Sequence, residues 1–150
     1  MESSVPARVL VVAHRTAATP ALIAAVRERA ERSPAEFTLL VPSAAHGLDR
    51  LAEPDQVDSD EAQDTLDLAL PLLEEAAGGR VDGIIGAPQP VDAVNDAVNQ
   101  HGFDEIIIST LSPRMSRWLK MDVPNRLKIL GIPITTVSAR GASAPAQTGA

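Results

Sequence analysis

The stretch G-A-P-Q-P-V-D-A-V-N-D-A-V-N-Q-H-G-F-D-E-I-I-I-S-T, from Gly86 to Thr110, carries three structural signals in one run. Pro90 opens a helix in which Val91, Val94, Ala97 and Val98 recur at helical spacing, and Gly102 stops it. Phe103 to Ser109 (F-D-E-I-I-I-S) then reads as the clearest strand in the chain. Val81 to Gly86, immediately upstream, reads as another strand. Strand, helix, strand in that order is the repeating unit of a parallel sheet.

The same exchange runs outward in both directions. Arg8 to Ala13 (R-V-L-V-V-A) is a continuous β-branched run, as expected of a strand covered on both faces. Thr19-Pro20 reads as an N-cap followed by proline at the first helical position, and Leu22, Ile23, Val26 and Ala30 form one stripe. Glu36 to Pro42 reads as the next strand, and Ser43 to Ser59 as a long polar connection. Ser59-Asp60-Glu61 is expected to open a second helix with Ala62, Leu66, Ala69, Leu70, Leu73 and Ala77 on its apolar face. Gly78-Gly79 end it, and Pro71 should kink or split it. Toward the other end, Pro113 to Leu130 reads as helical with an interruption at Pro124, and Ile134 to Ser138 as a last strand. The pattern predicts an α/β fold: a five-stranded parallel, doubly wound (Rossmann-like) sheet with helices on both faces. One domain over residues 1–138 and a disordered tail over 139–150 are expected.

Composition narrows the function. Thirteen Lys and Arg against twenty Asp and Glu give a net charge of -7, which argues against nucleic-acid binding and a basic membrane anchor. Aromatics are only 2% of the chain, so base stacking on an aromatic platform has no basis. Cysteine is absent, which excludes disulfides, thiolate chemistry and Cys-ligated zinc. The longest apolar run near the start, Val9 to Ala13, is too short for a signal core or a membrane span. A soluble cytoplasmic protein is expected.

In a doubly wound sheet, ligands bind beyond the carboxyl ends of the strands where strand order reverses. The loops there exclude several chemistries. A phospho-receiver needs acids where this chain has Ala13-His14-Arg15 and Gly86-Ala87-Pro88. No G-x-x-x-x-G-K-[ST], no G-x-G-x-x-G after the first strand and no G-x-S-x-G is present. His14, His46 and His101 match no metal-ligand spacing. What remains is Ser109-Thr110-Leu111-Ser112-Pro113-Arg114-Met115-Ser116-Arg117, read as a strand-to-helix turn. Ser109, Thr110, Ser112 and Ser116 supply four hydroxyls, and Arg114 and Arg117 two guanidinium groups, a set that suits an anion. The competing reading makes Ser112 or Ser116 a helix cap and the arginines surface charges. His14 and Arg15 would face this turn across the cleft, and Trp118 reads as a core or interface anchor.

The order of elements over roughly residues 6 to 138 resembles the universal stress protein family. Gly86 to Thr110 carries most of the resemblance, joined by R-W-L-K-M-D-V-P-N-R-L and the G-I-P-I-T-T-V ending at Val137. Many members bind ATP through G-x-x-G, nine residues, then G-[ST], after strand four. Ser109 and Ser112 stand at the first two glycines, and Met121-Asp122, eight residues later, replace the last Gly and hydroxyl. His14 replaces the acid that members carry at the end of strand one. A Cβ in place of glycine crowds a phosphate, and Asp122 repels one. The resemblance implies a branch of the family that dimerises without the standard ATP motif.

Three functions are therefore in play. The first is a non-catalytic regulatory or interaction domain, paired as a homodimer through the last strand at Ile134, Thr135, Thr136 and Val137. The second is a binding module for ATP, another nucleotide or a different phosphorylated small molecule, held by His14, Arg15, Ser109, Thr110, Ser112, Arg114, Ser116 and Arg117. The third, a slow phosphohydrolase or phosphoryl transferase, lacks a metal-binding acid pair and a positioned base.

Overall fold

The computed structural model describes residues 6–14, 16–43, 54–87, 89–110 and 123–138. Their β-branched runs pair as five parallel strands in the order β3-β2-β1-β4-β5. These are β1 (Ala7–Val12), β2 (Ala35–Pro42), β3 (Val81–Gly86), β4 (Glu105–Thr110) and β5 (Ile134–Ser138). The helices are α1 (Pro20–Arg32), α2 (Pro54–Ala77), α3 (Pro90–His101) and a short α4 (Val123–Arg126) that runs into a 3-10 turn at Leu127–Leu130. The expected doubly wound sheet is present.

Alternation along each strand feeds two apolar layers. Val9 and Val11 join Leu39, Val41 and Ile107 beneath α1 and α2, through Leu22, Val26, Leu66 and Leu73. Leu10 and Val12 join Leu40, Ile106 and Ile108 beneath α3 and α4, through Val94, Ala97, Val123 and Leu127. The central strands are therefore covered on both faces, which is why they read as unbroken apolar runs. Each fully buried Leu or Ile contributes about 1.5–3 kcal/mol of transfer free energy. Close approach of α3 depends on Gly86, where a Cβ would lie 2.8 Å from Leu40 Cδ1 and 2.9 Å from Ala93 Cβ.

At the amino end of β4, Arg29 of α1 grips Glu105 with two hydrogen bonds, Nε to Oε1 at 2.8 Å and Nη2 to Oε2 at 2.6 Å. The Arg29 side chain is only 6% exposed, and its remaining amino group donates to Ser33. This fork ties α1 to the central sheet.

Several boundaries differ from expectation. The second helix starts at Pro54 rather than at Ser59, because proline fits a first helical turn. It continues through Pro71 as one 24-residue element. Pro71 is exposed, so water can satisfy the carbonyl its missing N–H would have bonded. The strand expected over Phe103–Ser109 is shifted to Glu105–Thr110, so that Thr110, expected in the turn, extends the strand beyond Ser109. Among the described residues, no helix is long and apolar enough to cross a membrane.

Candidate functional site

Strand order reverses between β1 and β4, so their carboxyl ends flank the crevice where such sheets take ligands. Val12 pairs with Ile108 in the last rung of that seam. Beyond it, the chain passes from Ala13 into a pair of tight turns leading to α1. The Ala17 amide donates to the His14 carbonyl at 3.3 Å, and both the amide and the hydroxyl of Thr19 bond the Thr16 carbonyl, at 3.2 and 2.9 Å. Thr19 occupies the expected N-cap position, yet its hydroxyl turns back to Thr16 and caps no helix amide. The expected side-chain cap from Thr19 is thus not formed.

The turns place Thr16 over the end of β4. Its Oγ1 lies 2.6 Å from Ser109 Oγ, and the two residues are 3% and 1% exposed. Thr110 is equally buried, and its Oγ1 has no hydrogen-bond partner among the described residues. His14 is half-buried at the mouth of the same seam. The structure therefore brings together His14, Ser109 and Thr110 of the expected set. Arg15, Ser112, Arg114, Ser116 and Arg117 lie outside the described residues, as do His46 and Trp118. Thr16 is a member of the site that the expected set lacks. Its hydroxyl beside His14 was the available signal, but its partner is 93 residues away and only the fold reveals it.

Electrostatic perturbation is concentrated elsewhere. Arg29's hydrogen bonds, aided by the attraction of Arg29 and Arg32, hold the Glu105 carboxyl below its ordinary range against the opposing effect of burial. Arg29 is correspondingly pushed above its own ordinary value, chiefly by its hydrogen bond to Glu105. Both groups sit at the amino end of the sheet, opposite the crevice, and their role is structural. Among the described residues, no group of three His, Asp or Glu side chains is placed to hold a metal ion.

The fold recurs in solved structures. The universal stress protein from Archaeoglobus fulgidus in complex with dAMP aligns with a TM-score of 0.59 at 14% identity, covering 89% of this chain and 98% of that one. The fold is that of the universal stress proteins. A member of that family from Arabidopsis thaliana with AMP bound aligns at 0.57 and 16% identity, over 94% of this chain and 99% of that one. A universal stress protein in complex with cAMP aligns at 0.57 and 14% identity, over 89% and 98% of the two chains. No family model and no curated protein matches the chain. In this universal-stress-protein fold, β5 forms one sheet edge. Ile134 and Val137 are half-buried there and Thr135 and Thr136 exposed.

Proposed function

We propose that this chain is a divergent universal stress protein, a non-catalytic, cytoplasmic regulatory domain that responds to a nucleotide or another phosphorylated small molecule in the crevice between β1 and β4. The observation that carries the reading is the buried hydroxyl cluster of Thr16, Ser109 and Thr110 at that seam, beside a helix start that the Thr19 side chain does not cap. Solved structures of the same fold with AMP, dAMP and cAMP support a small nucleotide as the ligand class. Ser109 in place of a glycine disfavours the standard triphosphate mode, so AMP-sized ligands are expected to bind more tightly than ATP. Ser112, Arg114, Ser116 and Arg117, which follow in the chain, and Arg15, which follows His14, complete the proposed anion set.

Titration calorimetry of the whole chain with AMP, cAMP and ATP tests this reading, with native mass spectrometry to detect retained ligand. Binding of AMP or cAMP, weakened by salt and by Arg114→Ala, supports it. Absence of binding by all three leaves a domain that acts through protein contacts alone.

The regulatory form is a homodimer paired through β5. Support comes from a sheet edge that no other described strand pairs with, carrying the exposed Thr135 and Thr136, with Ile129, 87% exposed, five residues before the strand begins. The folding unit ends with this strand, and a chain stopped at Ser138 is expected to keep its melting temperature.

A further inference from the structure

We propose that Thr110, rather than the Thr16–Ser109 pair, is the hydroxyl that meets a ligand's phosphate, which puts that phosphate on the α3-facing side of the crevice. The inference rests on the reading of the crevice given above. Three hydroxyls reach the carboxyl end of the β1–β4 seam, but they are not equivalent. Thr16 Oγ1 and Ser109 Oγ are already bonded to one another at 2.6 Å. Thr110 Oγ1 is buried, at 3% residue exposure, and unpartnered among the described residues.

Strand alternation separates the two sets. Ile108 belongs to the apolar layer beneath α3 and α4, so Thr110, two residues on in the same strand, faces that side and Ser109 faces α1. On the neighbouring strand Val12 is the register partner of Ile108, and His14 likewise follows it by two residues. A buried hydroxyl without an acceptor is destabilising, and native proteins rarely keep one that has no role. A phosphate oxygen would accept the idle proton, while the Thr16–Ser109 bond would have to break before it could do the same.

The test compares the full-length wild type with Thr110→Val, which keeps the shape without the hydroxyl, and Thr110→Ser, which keeps the hydroxyl. AMP and adenosine are titrated into each, and ligand-free melting temperatures are measured. Thr110→Val should bind AMP about tenfold more weakly with adenosine unaffected, while Thr110→Ser stays near wild type. Without ligand, Thr110→Val should melt about 2–4 °C higher, because an unsatisfied polar group has been removed. Unchanged AMP affinity in Thr110→Val overturns the assignment and leaves the crevice reading standing. Equal losses for AMP and adenosine overturn it by moving the hydroxyl to the nucleoside. A lower ligand-free melting temperature overturns it by revealing an internal partner. Failure of the wild type to bind AMP or cAMP overturns the crevice reading itself.

Discussion

Thr16 and Ser109 stand 93 residues apart in sequence, and their hydroxyl oxygens lie 2.6 Å apart in the buried floor of the seam between β1 and β4. Removing either hydroxyl strands the other, so Thr16→Val and Ser109→Ala should each cost about 1–3 kcal/mol. Their double variant should cost less than the sum, with a coupling of about 0.5–3 kcal/mol in a urea-denaturation cycle. Simple additivity would mean that the bond does not form in solution.

The Arg29–Glu105 fork sets an acid limit. Glu105 is depressed in the fold, so its contribution is fully present above its unfolded pKa, about 4.3, and is lost as pH falls through the lower folded value. Glu105→Gln should destabilise at neutral pH by about 3 kcal/mol, the low end for breaking a buried pair, because Glu105 is 26% exposed. The gap between wild type and variant should narrow as pH falls below about 4.3 and close once pH is below the depressed folded value. Urea midpoints across that range check both statements, and a constant gap would remove the fork from the pH dependence.

Gly86→Ala should be clearly more harmful than Gly83→Ala. A Cβ at Gly86 meets Leu40 and the Ala93 Cβ below 3 Å, and the Ala93 atom belongs to a short side chain on α3 that cannot swing aside. A cost of about 1–3 kcal/mol follows from overpacking. At Gly83 the nearest atom is the end of Leu66, at 3.0 Å, which can rotate. Melting temperatures of the two variants give the comparison directly.

If β5 is the pairing edge, Thr136→Glu should convert a dimer to a monomer in sedimentation velocity while the melting transition remains cooperative. Thr136 is exposed and lies on the strand itself, so two copies of the substituted edge would bring like charges together. An unchanged sedimentation coefficient would move the interface away from β5.

The fold was legible because its signals are local. Val9–Ala13 and Ile106–Ile108 announce buried strands by themselves, and Pro90 and Gly102 bracket α3 without help from tertiary structure. Boundaries were harder where two signals compete: Ser59 looks like a cap, yet Pro54 five residues earlier begins the helix. The site was legible only in part. Ser109 and Thr110 could be placed near the crevice from the strand pattern. That one hydroxyl is paired and its neighbour is not depends on strand alternation and on a turn reaching across from another part of the chain. No spacing rule encodes that.

The β1–β4 register has a kinetic consequence. β1 meets β2 through the short α1 connection, whereas joining Val9 to Glu105 closes a loop through most of the intervening chain. Loop-closure entropy delays such contacts, and the order of assembly follows the length of chain to be closed. The β-α-β half containing β1, α1 and β2 can form early, and the seam with β4 is sealed only when the distant half arrives. The ligand crevice lies on that seam. It therefore comes into being with the last large step of folding, and a ligand seated there would act as a clasp on the folded state, slowing the parting of the two halves.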